Sequence, residues 1–181
     1  YYFYAYAQMD SKKPVVISVP SGNFGNLTAG LMAKKMGLGV NKFVAATNVN
    51  DVVPEYLKTK IFEPRKSKQT ISNAMDVGNP GNFDRFRRVF DDDYDTISGS
   101  VSGYWFDDES IREHISQEYR QTGYLLDPHG AVASLGLDAW LKGHSGSAGI
   151  FVATAHPAKF SDIVEPLIGQ TLEMPARFSS I

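Results

Sequence analysis

Residues 15–37, VVISVPSGNFGNLTAGLMAKKMG, predict a buried strand, a tight glycine turn and a helix. The opening VVISV is too continuously apolar for a half-exposed strand and is typical of a parallel strand covered on both faces. The turn over residues 21–26, SGNFGN, carries two glycines, which let the backbone curl so that successive N–H groups point at one centre. The helix adds its free N–H groups and the positive end of its dipole. This combination favours an anion, and a phosphate in particular.

The turn does not match the two common nucleotide-binding loops. A Rossmann loop needs G-x-G-x-x-G, and only Gly22 and Gly25 are present here. A P-loop needs G-K-[ST] at the start of the helix, which this sequence does not have. The turn therefore suits a single phosphate better than a pyrophosphate. Glycine spacing alone leaves open whether it is a phosphate site or an ordinary structural turn.

The pattern of strand, polar turn and helix then repeats. Residues 42–47, KFVAAT, predict a second strand, and the polar turn after it leads into a helix that ends near Leu57. Later strands are predicted over residues 101–106 and 149–154, the latter also buried, with helices over residues 83–90, about 108–122, 128–142 and after Pro157. This alternation predicts an α/β domain, an open, mostly parallel twisted sheet with helices on both faces.

Composition narrows the function classes. The chain has 181 residues, a net charge of −2 and no cysteine. Without a basic block, nucleic acid is not an expected partner, and no apolar run approaches the roughly 18 residues that span a bilayer. The lack of cysteine excludes disulfides and thiolate metal sites and fits a reducing, cytoplasmic location.

No metal site is predicted. The acidic run at residues 91–95, DDDYD, lacks the glycine and the glutamate that a calcium loop needs at its sixth and twelfth positions, and is interpreted as a solvated acidic loop. The four histidines have no metal-like spacing, and a surface or helix-cap role is expected for each. The polar segment over residues 58–81 interrupts the α/β alternation and is interpreted as a functional loop or as disorder.

Polar residues follow three of the predicted strands. Ser21 and Asn23 follow the first, Asn48 and Asn50 the second, and Thr154 ends the strand at 149–154, with His156 just beyond it. In an open α/β sheet, ligands bind just beyond the carboxyl ends of the strands. The three strand ends therefore predict one polar rim, although ordinary turn residues would give the same pattern.

Four phrases together resemble one family: SVPSGNFGNLTAGLMAK, AATNVNDVVPEYL, SNAMDVGNPGNF and ATAHPAKF. The chain resembles threonine synthase, a pyridoxal phosphate (PLP) enzyme of fold type II, over most of its length. The resemblance implies that residues 1–181 form the C-terminal part of the large PLP-binding domain, truncated on its N-terminal side. The aromatic opening YYFYAYAQM, which has no initiator methionine or capping residue, agrees with a helix that begins upstream.

The resemblance also implies which residues bind the cofactor. In the family, the GNFGN loop wraps the PLP phosphate, and the threonine of the TAHPAKF motif faces the pyridine nitrogen. These positions are Gly22, Asn23, Phe24, Gly25, Asn26 and Thr154. The phrase SNAMD, with Asn73 and Asp76, is expected to shape the substrate side.

The family converts O-phospho-L-homoserine and water to L-threonine and phosphate. Its Schiff-base lysine lies in an upstream Ser-x-Lys-Asp phrase, which this sequence does not contain. Lys68 and Lys159 lack the following aspartate, so no catalytic residue is assigned in this chain, and it is expected to be inactive alone. Another fold type II lyase or dehydratase, a non-catalytic anion-binding module and a structural fragment without a ligand remain alternatives.

A truncated domain leaves apolar surface or a sheet edge uncovered. Self-association is therefore expected, with the aromatic segment at residues 1–6 as its expected contact.

Overall fold

A computed structural model describes residues 1–173. Within them, a single four-stranded sheet is formed by β1 (Val15–Pro20), β2 (Val40–Thr47), β3 (Val101–Trp105) and β4 (Ala148–Phe151). The spatial order is β3-β2-β1-β4, and every neighbouring pair is parallel. The predicted α/β class with an open parallel sheet is confirmed.

Helices connect the strands in the predicted alternation. They are α1 (Tyr2–Ala7), α2 (Gly25–Lys35), α3 (Val52–Thr59), α4 (Phe83–Arg88), α5 (Tyr94–Ser100), α6 (Asp108–Thr122), α7 (Pro128–Lys142) and α8 (Ser161–Ile168). Short 3-10 turns occupy Asn73–Met75 and Pro157–Phe160. None of the helices in this part of the chain is both long enough and apolar enough to cross a membrane.

Helices cover the sheet on both faces. Consecutive side chains of a strand point to opposite sides, and the strands carry apolar side chains on both sides, so each face packs against helices. Val15, Ile17 and Val19 of β1 face a core built with α2 to α5, whereas Val16 faces a second core built with α6, α7 and α8. Every residue of β1 is buried. The continuous apolar run of the sequence is thereby explained, since a half-exposed strand would alternate.

Helix ends follow the capping signals of the sequence. The Asp107 carboxylate caps α6 by accepting from the N–H of Ser110 at 2.9 Å, and Gly123, with φ of 74°, ends the helix in the left-handed conformation. Asp127 caps α7, and Pro128 occupies its first position. These boundaries were predicted correctly.

Two predictions about elements differ from the structure. The run DDDYD does not simply form a loop, because Asp93 caps an unpredicted short helix, α5. The last strand is shorter than predicted and only half-buried, because β4 lies at the edge of the sheet and pairs with β1 alone among the described residues. Thr154 therefore lies three residues beyond the strand end rather than on it.

The connections that follow β1 and β4 diverge. After β1 the chain enters α2, which packs Leu27 and Leu31 into the first core. After β4 it leads into α8, whose Val164 packs into the second core on the opposite face. Because these neighbouring strands send the chain to opposite faces, a crevice opens between their carboxyl ends, where open α/β sheets bind ligands.

Candidate functional site

A cleft of about 260 Å³ lies in the crevice at the carboxyl ends of β1 and β4. It contains no charged side chain among its described lining residues, which are Pro20, Gly22, Asn23, Phe24, Gly25, Asn26, Ala74, Met75, His129 and Thr154. All six residues predicted to bind the cofactor border this one cleft. They come from the β1–α2 turn and from the segment after β4, which are far apart in sequence.

The β1–α2 turn offers a surplus of hydrogen-bond donors. Ser21 N–H donates to the carbonyl of Ala46 at 2.8 Å, and Leu27 N–H donates to Oδ1 of Asn26 at 2.9 Å. Between them, the N–H groups of residues 22–26 donate no hydrogen bond to any described residue. Phe24 is buried and Gly22 and Asn26 are half-buried, and N–H groups in such positions are normally paired. Successive unpaired donors at the start of a helix are therefore the chemistry of an anion site.

Several acceptors of the same turn are already paired. The carbonyl of Asn23 accepts from Nδ2 of Asn82 at 2.9 Å, and its Oδ1 accepts from the N–H of Gly81. The carbonyl of Phe24 accepts from both the N–H and the hydroxyl of Thr28, at 3.0 and 2.6 Å. Because the N–H groups of residues 22–26 are not used within the described part of the chain, they remain available as donors at the cleft.

The backbone of the turn is shaped differently from the expectation. The left-handed residue is Phe24, with φ of 62°, and neither Gly22 nor Gly25 has positive φ. Phe24 is buried against Phe86 with ring centroids 6.1 Å apart, and this packing offsets the cost of a left-handed bulky residue. The glycines are not needed for backbone curl.

Close approach explains Gly22 instead. A Cβ on Gly22 would lie 2.7 Å from the carbonyl oxygen of Ala74 and 2.8 Å from Cα of Met75. Both are main-chain atoms of the Asn73–Met75 turn, which forms the neighbouring wall of the cleft. The irregular segment after α3 therefore packs directly on the β1–α2 turn over residues 21–26, which is named the phosphate-type turn.

His129 forms part of the cleft wall and is buried. Its Nε2 lies 3.3 Å from the N–H of Ala74, and its Nδ1 lies 2.9 Å from Oδ1 of Asp127. The expectation of a surface or helix-cap role was wrong for His129, and also for His114, which is buried within α6. The sequence signal that could have found His129 is its position, two residues after the capping Asp127 and within the first turn of α7.

Thr154 borders the cleft opposite the turn and is exposed. It follows the edge strand, so its hydroxyl lies at the rim rather than in the core. The segment that carries it continues into the Pro157–Phe160 turn, where Nδ1 of His156 accepts from the N–H of Ala158 at 3.2 Å. His156 is thus a cap of that turn, as expected, and does not line the cleft.

Asn48 and Asn50 do not reach the cleft, although they follow the neighbouring strand β2. Nδ2 of Asn48 donates to Oγ1 of Thr70 at 2.8 Å and to Oδ1 of Asp76 at 2.9 Å. Asn50 exchanges two hydrogen bonds with the backbone of Lys68, its Nδ2 donating at 2.9 Å and its Oδ1 accepting at 2.7 Å. The polar rim therefore includes the ends of two strands, β1 and β4, and not three as predicted. The side chains after β2 are hydrogen-bonded to the irregular segment that follows α3.

The remaining polar residues of the prediction, Ser21, Asn73 and Asp76, do not line the cleft. The hydroxyl of Ser21 donates to the carbonyl of Val19 at 3.1 Å. Asp76 accepts from both the N–H and the hydroxyl of Thr70, at 3.0 and 2.7 Å, and does not line the cleft, whereas Asn73 is exposed on the turn. Over residues 1–173, no group of three or more histidine, aspartate or glutamate side chains could hold a metal ion.

Comparisons with known proteins agree with this geometry. Residues 131–181 match the family model described as "Threonine synthase, C-terminal". Threonine synthase of Haemophilus influenzae is 46% identical over 177 residues, which are 97% of this chain and 41% of that protein. Threonine synthase of Escherichia coli is 44% identical over 97% of this chain and 40% of that protein.

Solved structures give the same result. The threonine synthase of Escherichia coli superposes with a TM-score of 0.90 at 42% identity, covering 99% of this chain and 41% of that one. The PLP-bound threonine synthase of Brucella melitensis superposes with a TM-score of 0.85 at 30% identity, covering 98% of this chain and 43% of that one. Serine racemase from Dictyostelium discoideum, at 17% identity and a TM-score of 0.57, shares the fold alone.

The sequence matches and the superpositions both extend over nearly the whole of this chain. The chain spans about two-fifths of the length of these relatives, 41% and 40% of the first two. It belongs to the threonine synthase family.

Proposed function

We propose that this chain supplies the PLP-phosphate site of a threonine synthase, which converts O-phospho-L-homoserine and water to L-threonine and phosphate. The observation that carries the proposal is the run of unpaired N–H groups over residues 22–26 at the cleft. A phosphate monoester offers several acceptor oxygens and a negative charge. Both match main-chain donors at a helix N-terminus.

The turn binds the phosphate through its main chain in this proposal. Gly22, Asn23, Phe24, Gly25 and Asn26 each contribute an N–H group. The dipole of α2 adds stabilisation of about 0.3–1 kcal/mol for an anion at its first turn. Because no acidic side chain lines the described cleft, nothing there opposes the phosphate charge.

Thr154 would hold the other end of the cofactor. Its hydroxyl can donate a hydrogen bond to a pyridine nitrogen but cannot protonate that nitrogen as a carboxylic acid can. When bound, PLP withdraws electrons from the substrate carbons, and a neutral partner at the ring nitrogen moderates that withdrawal. The structure supports this role by placing Thr154 and the phosphate-type turn in one cleft.

The proposal assigns no Schiff-base lysine to this chain. The sequence contains no Ser-x-Lys-Asp phrase, and neither Lys68 nor Lys159 lines the cleft. Residues 1–181 would thus be the C-terminal part of the large PLP-binding domain, although residues 174–181 lie outside the described part. We expect the purified chain to bind PLP and to release no phosphate from O-phospho-L-homoserine. The lack of cysteine supports a cytoplasmic location for the enzyme.

The proposal extends to self-association of this chain. Tyr1, Phe3 and Tyr4 are 68%, 48% and 74% exposed and lie together on or beside α1. Exposed aromatic clusters of this kind are typical of interaction surfaces. Sedimentation should show concentration-dependent association that Tyr4→Ser weakens, whereas a monomer at every concentration would contradict it.

Binding of PLP tests the central assignment. We expect a saturable change in the PLP absorption spectrum on addition of the protein, and we expect inorganic phosphate to compete for the same site. The control is Gly99→Ala, since a Cβ at Gly99 meets no atom within 4 Å. A protein that binds phosphate or a nucleotide but gives no response to PLP would instead favour a non-catalytic anion-binding module. A protein that binds neither would contradict the assignment of the turn.

A further inference from the structure

His129 connects three parts of the cleft region. It lies in the first turn of α7, where the residue is 4% exposed, and it lines the cleft. Its imidazole meets the Asn73–Met75 turn on one side and the ring of Phe160 on the other, with centroids 5.0 Å apart. Phe160 belongs to the segment that follows Thr154. One buried ring therefore contacts the segments that form two walls of the cleft.

The hydrogen bonds of His129 define its protonation state. The N–H of Ala74 can only donate, so Nε2 of His129, 3.3 Å away, must accept and carries no proton. The proton of the neutral ring is then on Nδ1, where it is donated to Oδ1 of Asp127 at 2.9 Å. The carboxylate of Asp127 is itself held by the N–H groups of His129 and Gly130, at 2.9 and 3.3 Å. The ring orientation is therefore fixed by the N-cap of α7.

The bond to Ala74 restrains the wall that touches the phosphate-type turn. The carbonyl oxygen of Ala74 and Cα of Met75 would lie within 2.8 Å of any Cβ at Gly22. Ala74 is exposed, so solvent competes for its N–H unless His129 accepts from it. If the Asn73–Met75 turn moves, the surface on which Gly22 packs moves with it.

We propose that His129 is a positioning residue for the phosphate site, and that its unprotonated Nε2 holds the Asn73–Met75 turn against Gly22. Asp127 fixes the ring in the orientation that makes this acceptor available. The inference rests on the proposed function, because it assigns His129 to the site that binds the PLP phosphate. His129 does not itself need to touch the cofactor in this arrangement.

Two amide substitutions separate the two nitrogens of the ring. Glutamine places a carbonyl oxygen near the position of Nε2 and can accept from Ala74, whereas asparagine is shorter and can only replace the Nδ1 donor toward Asp127. His129→Gln and His129→Asn therefore have similar polarity but opposite ability to hold the turn. His144→Gln is the matched control, because His144 is exposed and lies just beyond the far end of α7.

The first measurement uses the unliganded wild-type protein and does not depend on PLP binding. Nuclear magnetic resonance should show Nε2 of His129 as an unprotonated nitrogen with a scalar coupling through the hydrogen bond to the amide of Ala74. The Ala74 amide should exchange with solvent about tenfold faster in His129→Asn than in the wild type, and near the wild-type rate in His129→Gln. A protonated Nε2, or equal exchange in the two variants, would overturn the proposal.

The second measurement is PLP affinity. We expect His129→Asn to weaken binding by about fivefold to tenfold, the usual effect of losing one hydrogen bond in a supporting wall, and His129→Gln to restore most of it. His144→Gln should bind as the wild type does. Equal loss in both His129 variants would mean that the ring acts only by filling space, which contradicts the proposal. If the wild type holds the Ala74 bond but does not bind PLP, the proposed function fails rather than the role of His129.

Discussion

The turns after β1 and β2 occupy equivalent places in the sheet and use their polar groups in opposite ways. Both follow buried parallel strands and lie at the carboxyl edge. After β2, Asn48 and Asn50 are saturated by Thr70, Asp76 and the backbone of Lys68. After β1, the N–H groups of residues 22–26 have no partner in the described part of the chain.

Polar residues at a strand end can therefore either hold neighbouring segments in place or remain available to bind a ligand. A network whose donors and acceptors are paired contributes rigidity and has little left to offer a ligand. A turn with unpaired donors costs stability, and that cost is offset when an acceptor binds. In this protein the first kind supports the second. The residues held by Asn48 and Asn50 lead directly to the Asn73–Met75 turn, which packs on Gly22.

Removing the centre of the network should have the largest effect. Asp76 accepts hydrogen bonds from Asn48, Asn50 and Thr70. Asp76→Ala removes the acceptor of the Thr70 N–H and one of several acceptors of the Thr70 hydroxyl and of the Asn48 and Asn50 amides. A part-buried donor left unpaired costs about 1–3 kcal/mol, and we expect a loss of about 2–3 kcal/mol in the free energy of unfolding. Urea denaturation measures it. Asp84→Ala, whose side chain is 72% exposed, is the control, and equal stability of the two variants would show that the network is not a scaffold.

Filling the space at Gly22 should affect ligand binding next most strongly. In Gly22→Ala the new methyl group meets main-chain atoms of Ala74 and Met75 at 2.7 and 2.8 Å, which cannot rotate away. We expect PLP or phosphate affinity to fall by about tenfold or more, equivalent to about 1.4 kcal/mol. Gly99→Ala should bind normally. An unchanged affinity in Gly22→Ala would show that the β1–α2 turn is not part of the binding site.

A second histidine, His114, is also buried but does not line the cleft as His129 does. Burial lowers the pKa of His114, against the opposing effect of the carboxylates of Asp138 and Glu118. Its ring is within hydrogen-bond distance of the hydroxyl of Ser134, at 2.9 Å. Since the unfolded chain holds the proton more tightly, stability from this group is present above the unfolded pKa of about 6.5 and is lost as pH falls toward the folded pKa.

We therefore expect the wild type to lose a few tenths to about 1 kcal/mol from this group between pH 7 and pH 5.5. His114→Gln should show a shallower pH dependence, because glutamine does not titrate. Urea denaturation at both values measures the slope, with the exposed His144→Gln as the control. A slope unchanged by His114→Gln would exclude this histidine as its source.

The smallest effect is expected at the rim. Thr154 is exposed, so Thr154→Ala should leave the free energy of unfolding within about 0.5 kcal/mol of the wild type. Loss of one hydrogen bond should weaken PLP binding by about twofold to tenfold, and Thr154→Ser should retain it. A large loss in the free energy of unfolding would show that Thr154 stabilises the fold. An unchanged PLP affinity would show that the pyridine ring of PLP does not bind at Thr154.

The sequence predicted the parallel sheet and the position of the β1–α2 turn, because local signals determine both. The continuous, mostly apolar run VVISV specified β1, and the cap at Asp127 with Pro128 specified the start of α7. The wall made by Ala74, Met75 and His129 was not predicted, because it depends on a contact across 55 positions of the chain. No local pattern distinguishes Asn48, whose amide is spent internally, from Asn23, which borders the cleft.

The half-burial of β4 was also beyond sequence reasoning. Its apolar residues resemble those of β1, but burial depends on whether a neighbouring strand covers both sides. The left-handed Phe24 is a similar case, since its conformation is supported by packing on Phe86 rather than by a turn residue type. Such features arise from tertiary packing, which residue preferences do not encode.

The most direct test of the account is a phosphate titration of the isotopically labelled protein followed by amide nuclear magnetic resonance. We expect the N–H signals of residues 22–26 to shift together and to saturate with one dissociation constant, whereas those of residues 48–50 should not shift. Shifts spread over both turns, or confined to residues outside the β1–α2 turn, would contradict the claim that the unpaired donors after β1 form the anion site.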